Sequence, residues 1–480
     1  MRTHLSRRLL TGAALLALTT GGALAGATSA PAAAPAPAGA PTATGPGSAT
    51  WVDTVDQVTA PVARVGAVPP ASQAGTTGAT GYADPATPPL RVVPVSTSAG
   101  LTAALKAARP GDRISLAKGT YTGPFTVSVS GTQAHPVVVA PATGGVTLTA
   151  SLHMRSCGAG GPDEDRTVSV TGGASHVVLQ GLVIDGGLKI ASQNADAVQN
   201  WQARAIRLGD WRTRRSAPGT ASRDAVAARG QEHWFESTLG QSLGVSTDVQ
   251  LIDNLVTRKG IFGRLVSYSV LSGNVVKDVA CGTGPGIWLA NYSNGNVVTG
   301  NLVTRVAAST YSHYMQEGIR LGNGSDYNAV VGNIVRDLPA NGRGITTDQD
   351  ASWNLLAENR VASVDIAFNE QMSGWGNVWR NNLARNARVA AFSYRMEDSK
   401  LTVPSRDTSS FDTTTSCNLV QGAPVGVQVG AMGGGTFTAD QVGTVQLNRN
   451  VLGYWASAGN TWDGSSTPPG DTVTASLAGC

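Results

Sequence analysis

Polar and aromatic side chains recur at matched positions in a set of similar short segments. Each segment opens with Gly-Ile or Ala-Phe, and its next residue is Trp288, Arg320, Thr346 or Asn369. Side chains alternate between the two faces of a strand. The preceding Ile or Phe should therefore point into a core, and these four residues should point outward. An aromatic ring, a fixed cation and neutral hydrogen-bonding groups on one strip could bind a sugar chain.

Charged residues flank this strip. Glu317 and Arg343 come just before their strands, and Asp348 falls in the next outward column, where we expect it within reach of Arg320. At the far ends of the strands we expect three more polar residues, Asn323, Asp350 and Glu370. Carboxylates, amides and cations at these places could bond the hydroxyls of a sugar and any carboxylate that it carries.

One reaction that fits these residues is β-elimination from a uronate. It needs a cation that neutralises the substrate carboxylate, and Arg320 suits this role because guanidinium pairs bidentately with carboxylate. It also needs a base for the C5 proton, for which His313, Tyr311 and Tyr314 are the candidates. These three lie in the segment 302–317, the longest of the variable connections between repeats. The Tyr/His segment could instead only pack against the side of the fold.

A second reaction is hydrolysis or fructan-type transfer, which needs two carboxylates flanking the scissile bond. Glu317 with Asp348 or Asp350 could supply them. Structural alternatives are an Arg320–Asp348 ion pair that only stabilises the fold, and an Asp-rich turn at 348–350 that also offers calcium ligands.

The candidate residues form three groups. The catalytic candidates are Arg320, His313, Tyr314, Glu317 and Asp348. The substrate-binding candidates are Trp288, Tyr311, Arg343, Asn369 and Asn323. Asp348 and Asp350 form a candidate calcium site, although we expect that no cofactor is required.

The elements that must position these residues are marked by repeated asparagines. Six of them keep one register, each in a short apolar frame such as GNLV: Asn254, Asn274, Asn301, Asn333, Asn359 and Asn382. Four have a second asparagine five residues upstream: Asn296, Asn328, Asn354 and Asn377. Three short strands per repeat cannot form a sheet alone, so we expect repeats to stack as rungs about 4.8 Å apart. Asparagine suits the tight turn because it tolerates left-handed backbone angles, and stacked amides can bond between rungs.

This pattern resembles the right-handed parallel β-helix proteins of the pectin-lyase-like superfamily, over roughly residues 90 to 420. The run from Gly111 to Val138, GDRISLAKGTY…SGTQAHPV, also looks like the opening of chondroitinase-B-type and alginate lyases. The K-S-x-x-N and R-H-G segments of those lyases are not found, and Arg258-Lys259-Gly260 is the nearest counterpart. The resemblance implies an all-β solenoid whose long connections overhang a polysaccharide-binding strand face. The segment Leu101 to Ala108 predicts a short helix that caps the first rung.

The N-terminus predicts export. Arg7 and Arg8 precede an apolar run in residues 1–30, which resembles a twin-arginine signal peptide. Residues 31–89 are rich in Ala and Pro, which indicates a linker or pro-segment. We expect the β-helix to span residues 90–420, and the C-terminal rungs and cap to span residues 421–480. A Trp- and Arg-rich insertion at 191–246 interrupts the repeat and could form a wall for an anionic polymer or be a solvated insertion.

Charge and cysteine content narrow the function classes. A net charge of +4 is too weak to indicate nucleic-acid binding by itself, and no later apolar stretch reaches the about 20 residues that span a bilayer. The four cysteines, Cys157, Cys281, Cys417 and Cys480, fit one or two disulfides in an exported protein, and Cys417 with Cys480 would fix the C-terminus.

Three hypotheses remain open. The leading one is a secreted polysaccharide lyase acting on a uronate-containing glycan. The alternatives are a glycoside hydrolase or fructan-type transferase with paired carboxylates, and a non-catalytic glycan-binding or cell-surface β-helix. The expected partner is an acidic polysaccharide, with no nucleic acid and no membrane after export, and the sequence does not predict the oligomeric state.

Overall fold

The computed structural model describes residues 82–155, 165–191, 245–280, 284–307, 316–348, 351–371, 376–394 and 413–429, and short strands between 410 and 462. Within these ranges the chain forms a right-handed parallel β-helix, as the sequence predicts. Successive rungs contribute one strand to each of three long sheets, and all their pairings are parallel. The apolar residues of all three sheets meet in one continuous core.

Sheet 1 has thirteen strands. They are Arg91–Val95, Asp112–Leu116, Val137–Pro141, Val177–Gln180, Val249–Ile252, Val270–Ser272, Val297–Thr299, Ala329–Val331, Leu355–Ala357, Val378–Arg380, Thr414–Ser416, Thr436–Thr438 and Ala456–Ala458. Sheet 2 has twelve strands. They are Gly119–Thr122, Val146–Thr149, Val183–Asp185, Leu255–Arg258, Val275–Val279, Leu302–Val306, Ile334–Arg336, Arg360–Ala362, Leu383–Arg385, Leu419–Gln421, Gln441–Gly443 and Thr461–Trp462.

Sheet 3 carries the Gly-Ile segments and has eleven strands. They are Phe125–Val127, Val168–Thr171, Leu188–Ala191, Ile261–Arg264, Ile287–Ala290, Glu317–Leu321, Arg343–Thr347, Ile366–Glu370, Ala390–Tyr394, Val427–Val429 and Val445–Leu447. Two short parallel pairs join Ser246–Thr247 to Val266–Ser267 and Ser410–Phe411 to Met432–Gly433. Two helices complete the described elements, Ser98–Ala107 and Leu152–Arg155.

The first helix confirms the predicted N-terminal helix and begins three residues earlier than expected, at Ser98. Thr97 accounts for this start because its side-chain oxygen accepts a hydrogen bond from the Gly100 N–H at 3.0 Å, the usual geometry of a helix N-cap. Leu101 and Leu105 lie on one face and are buried in the core. The helix therefore packs its apolar face against the first strands of the stack.

The asparagine ladder is confirmed as a hydrogen-bonded stack. The Oδ1 atom of Asn333 accepts from both the backbone N–H and the Nδ2 of Asn301, at 3.0 and 2.9 Å, and Nδ2 of Asn333 donates to the carbonyl of Val298 at 2.9 Å. The same pattern continues one rung further than the sequence pattern indicates, from Asn382 to Asn418. Each buried amide is thus satisfied by its neighbours, which a stack of like charges could not achieve.

The backbone conformation of these turns differs from the prediction. The left-handed residue is not the ladder asparagine but the residue just before it: φ is 66° at Gly273, 61° at Gly300 and 68° at Gly332. Non-glycine residues take the same place on other rungs, including Glu358 and Asn381. The asparagine therefore fits this position because of its side-chain hydrogen bonds, and the residue before it adopts the left-handed backbone angle.

Glycine opens the sheet 3 segments because no side chain fits there. A Cβ at Gly318 would lie 2.3 Å from Cγ1 of Val335 in sheet 2 and 2.7 Å from the carbonyl oxygen of Gly344 on the next rung. Ala367 replaces glycine on a later rung, and the sheet 2 residue in register with Val335 and Val361 is there the smaller Ala384. The glycine and valine columns are therefore matched in size.

Two predictions about the whole chain are not settled by the described residues. Cys417 is buried next to Asn418, but Cys157, Cys281 and Cys480 lie outside the described residues, so the disulfides stay a prediction. The signal peptide, the linker and the 191–246 insertion also fall largely or wholly outside them. In the part of the chain that the structure describes, no helix is long and apolar enough to span a membrane.

Candidate functional site

The outward side of sheet 3 is a polar strip with one residue per rung. Parallel pairing aligns Lys189, Phe262, Trp288, Arg320, Thr346, Asn369, Ser393 and Gln428. The inward residues one position earlier are apolar throughout, from Ile261 to Val427. The predicted alternation is confirmed, and the register places neighbouring strip residues about 4.8 Å apart along the axis.

Arg320 is the centre of the charged part of this strip. Its side chain is buried, and its Nη1 donates to Oε1 of Glu317 at 3.0 Å, while its Nη2 bonds Oδ2 of Asp348. Nη1 of Arg343 lies 3.6 Å from the same Glu317 oxygen. The expected proximity of Arg320 and Asp348 is therefore confirmed, and the four side chains form a balanced cluster of two cations and two carboxylates.

The cluster keeps Arg320 charged. Burial acts to lower the pKa of the guanidinium, but the ion pairs and hydrogen bonds with Glu317 and Asp348 outweigh it, so the pKa of Arg320 is raised above its ordinary value. A group held this way does not serve as a proton acceptor at neutral pH. Its chemistry is to bind and to stabilise negative charge.

Trp288 is enclosed on both sides of its ring. The ring stacks on Phe262 of the preceding rung, with centroids 4.6 Å apart and planes inclined by 22°. On the following rung the guanidinium carbon of Arg320 lies 5.3 Å from the Trp288 ring centroid, within cation–π range. Because both faces are occupied, the ring has no free face on which a sugar could stack. It offers instead the indole N–H at the ring edge.

Two hydrogen-bond donors lie on the same side of Gly322. A Cβ at Gly322 would stand 3.4 Å from Nε of Arg320 and 3.5 Å from Nε1 of Trp288. Both nitrogens are buried, and neither has a hydrogen-bond partner among the described residues. The flanking residues of this column are Ala290 and Asp348, and glycine is the smallest of the three. Two N–H groups with no acceptor favour an oxygen that only accepts, such as that of a carboxylate.

Further along the strip, the side chains are polar but uncharged. Thr346, Asn369 and Ser393 are each fully shielded from solvent, and their side-chain oxygens, with Nδ2 of Asn369, have no partner among the described residues. A buried polar group without a partner costs about 1–3 kcal/mol. The hydrogen-bonding capacity of three successive rungs is therefore left unused among the described residues.

Charge on the strip is distributed unevenly. The described cations on this outward side are Lys189, Arg264, Arg320 and Arg343, and the carboxylates are Glu317 and Asp348. All six lie on rungs up to that of Thr346. Among these six side chains, positive charge therefore exceeds negative charge at one end. On the rungs of Asn369, Ser393 and Gln428, the described sheet 3 strands carry no charged side chain on the outward side.

Several predicted residues cannot be placed in this cluster. His313, Tyr311, Tyr314 and Asp350 lie outside the described residues, so their roles stay predictions. Asn323 is half-buried in a left-handed turn with φ 58°, and its carbonyl accepts from the Tyr292 N–H at 3.1 Å. That turn accounts for Asn323 without a substrate.

Glu370 points the other way from its expected position. It aligns with Leu321 and Thr347 on the inward side, and its carboxylate accepts from Nε1 of Trp379 and Oγ1 of Thr413, both at 2.7 Å. The prediction that it lies at the outward end of its strand is wrong. It falls one residue out of phase with the outward positions, and the core supplies the two donors it needs.

A calcium site is not supported by the described residues. They contain no cluster of three or more His, Cys, Asp or Glu side chains that could hold a metal ion. The carboxylate of Asp348 is engaged by Arg320, a cation that would compete with calcium. Asp350 lies outside the described part, and calcium binding stays a prediction.

Three residues of the site are absent from the sequence-based candidates: Phe262, Gly322 and Ser393. Phe262 and Ser393 follow from extending the repeat by one rung in each direction, since Gly260-Ile-Phe and Ala391-Phe-Ser match the other segments. The only feature of the sequence that could have indicated Gly322 is that it is the smallest residue of its column. The convergence of two N–H groups on it depends on side-chain conformations that a repeat does not encode.

Comparison with known proteins finds similarity in fold. No protein-family model and no curated protein matches the sequence. Among solved structures, a family 28 exopolygalacturonase from Yersinia enterocolitica matches with a TM-score of 0.45 and 12% identity, covering 79% of each chain. An alginate lyase from Paenibacillus sp. str. FPU-7 matches with a TM-score of 0.41 and 15% identity, over 76% of this chain and 98% of the other. A PL6 family polysaccharide lyase from Pseudopedobacter saltans matches with a TM-score of 0.40 and 14% identity, over 75% of this chain and 92% of the other. These values carry no inference about the reaction.

Proposed function

We propose that this chain is an exported polysaccharide lyase that binds a uronate-containing glycan along the strip on sheet 3 and cleaves it by β-elimination. The observation that carries the proposal is the pair of donors beside Gly322. Two buried N–H groups, on Arg320 and Trp288, lie on the same side of this glycine and have no acceptor among the described residues. A carboxylate oxygen satisfies both, whereas a hydroxyl that accepted from both would leave its own proton to be bonded elsewhere.

Binding of a uronate here has a direct chemical consequence. The C5 proton of a uronate becomes more acidic when charge on its carboxylate is neutralised, because the carbanion formed on its removal is delocalised into that group. Arg320 stays protonated and is fixed by Glu317 and Asp348, so its Nε–H is held in place as a donor to the substrate carboxylate without rearrangement. The excess of cations at this end of the strip supports an anionic substrate.

The remaining steps need a base and a proton for the leaving group. We assign the base to His313 or Tyr314, with Tyr311 contributing to binding, because all three lie in the connection that leads into the strand bearing Arg320. The base removes the C5 proton, the C4–O bond breaks, and the departing sugar oxygen takes up a proton. The product is an unsaturated uronate at the new non-reducing end.

The test is incubation with alginate, pectate and glycosaminoglycans, followed by ultraviolet absorbance of the unsaturated uronate. The proposal expects absorbance to grow with at least one polymer and to be abolished when Arg320 is substituted. If no polymer yields an unsaturated product, the lyase assignment is overturned.

One observation favours a second candidate, a glycoside hydrolase or fructan-type transferase. Glu317 and Asp348 bond different terminal nitrogens of one guanidinium, which holds two carboxylates close together. Glycosidases that use a carboxylate pair place them about 5–9.5 Å apart. New reducing ends or cyclic products from neutral glycans or fructans, without ultraviolet absorbance, would select this candidate. Glu317→Gln and Asp348→Asn should then each abolish turnover.

A further inference from the structure

The neutral end of the strip carries a second conclusion about the substrate, which rests on the proposed function. We propose that the rungs of Thr346, Asn369 and Ser393 bind uncharged sugar units, so that the preferred glycan is a heteropolymer in which each uronate is followed by at least three neutral sugars. A homopolymer of uronates would fit this surface poorly.

The spacing of the rungs supports one sugar unit per rung. Strip residues follow each other at about 4.8 Å, close to the length of one pyranose unit in an extended chain. A glycan whose uronate lies beside Gly322 would therefore present its next units to Thr346, Asn369 and Ser393. These three side chains are shielded from solvent, so binding requires that they become accessible to the glycan.

Electrostatics decides what those units can be. A homopolymer of uronates would bring a carboxylate to each rung, and burying a carboxylate without a cation is strongly unfavourable. In the described strands, the rungs of Asn369 and Ser393 carry no charged side chain on the outward side. Arg343, on the rung of Thr346, already lies beside Glu317.

Hydrogen-bonding capacity matches an uncharged sugar. Thr346 and Ser393 have hydroxyls that donate and accept, and Asn369 has one acceptor and two donors, all without a partner among the described residues. Sugar hydroxyls and N-acetyl groups also donate and accept. A carboxylate can only accept, and it would leave the acceptors of this surface unsatisfied.

The test substitutes each residue by an apolar residue of similar size: Thr346→Val, Asn369→Leu and Ser393→Ala, singly and together. Because the native groups lack partners, we expect melting temperatures that are unchanged or raised. Thr413→Val is the matched control, since the Thr413 hydroxyl does have a buried partner in Glu370, and its loss should lower the melting temperature.

Binding is then measured rather than turnover, with gellan, whose backbone repeat has one uronate and three neutral sugars, against alginate and pectate. We expect the wild type to prefer gellan, and each substitution to weaken that binding about three- to tenfold. Equal or tighter binding of alginate or pectate by the wild type would overturn the proposal, as would a loss of stability in the three variants that matches that of Thr413→Val.

The binding readout separates this proposal from the proposed function. If acidic polymers bind with the expected preference but none yields an unsaturated product, the lyase assignment fails and the heteropolymer assignment stands. If unsaturated product forms from alginate or pectate and the three substitutions leave binding unchanged, the lyase assignment stands and this one fails.

Discussion

The side-chain nitrogens of Arg320 and Trp288 converge on one face of Gly322. Nε of Arg320 and Nε1 of Trp288 are 3.4 and 3.5 Å from the place where a Cβ would stand. The two residues belong to consecutive rungs, and the cation–π contact at 5.3 Å holds them in this relation. The stacking of the two rungs thus brings the two donors together, beside a residue that has no side chain.

Gly322→Ala should therefore impair substrate binding without unfolding the protein. The added methyl would make contacts of 3.4–3.6 Å, which are at the limit of ordinary van der Waals distance, so the melting temperature should change little. It would occupy the space of the acceptor oxygen and remove two hydrogen bonds, which predicts a fall in kcat/KM of about tenfold or more. Steady-state kinetics and thermal unfolding check the two parts. Unchanged kinetics would show that no substrate atom binds beside Gly322.

Arg320→Ala should destabilise the fold as well as abolish activity. It leaves Glu317 and Asp348 buried without the guanidinium that both of them bond, and breaking a buried ion pair in this way costs about 3–5 kcal/mol. Protonating the stranded carboxylates removes their charge, so the variant should recover stability as the pH falls and lose it as the pH rises. Chemical denaturation at several pH values measures this dependence.

A charge-balanced double variant provides the control for that result. Arg320→Met combined with Asp348→Asn removes one cation and one carboxylate together, and it leaves Glu317 beside Arg343. It should be more stable than Arg320→Ala at neutral pH and show a flatter pH profile, while remaining inactive. If it is no more stable than the single variant, packing rather than charge is the main contribution of Arg320.

The sequence predicts most of the fold because the fold is periodic. The asparagine register, the Gly-Ile segments and the strand alternation each repeat, so the three sheets and the outward positions of Arg320 and Asn369 follow from counting residues. Counting residues could not predict three details: the left-handed residue of each turn precedes the ladder asparagine, Glu370 turns inward toward Trp379 and Thr413, and Trp288 is enclosed between Phe262 and Arg320. The last two are decided by neighbours outside the residue's own segment.

The size match between the glycine and valine columns gives a prediction about stability. Gly318→Ala should destabilise the protein by about 1–3 kcal/mol, because the new Cβ would lie 2.3 Å from Val335 Cγ1 and 2.7 Å from a backbone oxygen. Adding Val335→Ala should recover part of this loss, as the native pair of Ala367 and Ala384 implies. A double-mutant cycle by urea denaturation measures the coupling. Additive effects would show that the backbone contact alone sets the cost.

The ladder should be most sensitive at an interior rung. Asn333→Ala removes the acceptor of two Asn301 N–H groups and the donor to Val298 and Asn359, leaving several buried groups unsatisfied. We expect a loss of about 3–5 kcal/mol in unfolding free energy. Asn333→Asp should be worse at neutral pH, because a carboxylate keeps the acceptor but cannot donate and adds a buried charge. Thr120→Ala, on an exposed strand position, is the control and should change stability little.

Acid sensitivity at the N-terminal end of the stack should depend on Asp112. The hydrogen bond and charge of Arg91, with the backbone N–H of Arg109, lower the pKa of Asp112 from its ordinary value of 3.8, although burial acts in the opposite direction. A carboxyl group with a lowered pKa contributes stability that is present above pH 3.8 and is lost as the pH falls through its value in the folded protein. Asp112→Asn should therefore be less stable than wild type at neutral pH, and the difference should shrink in acid.

Asp278→Asn is the matched control, because the pKa of Asp278 is also lowered by an arginine but that pair is exposed to solvent. Its effect should be smaller because water and salt screen the pair. Equal effects of the two substitutions would mean that the shielding of Asp112 adds nothing to its ion pair.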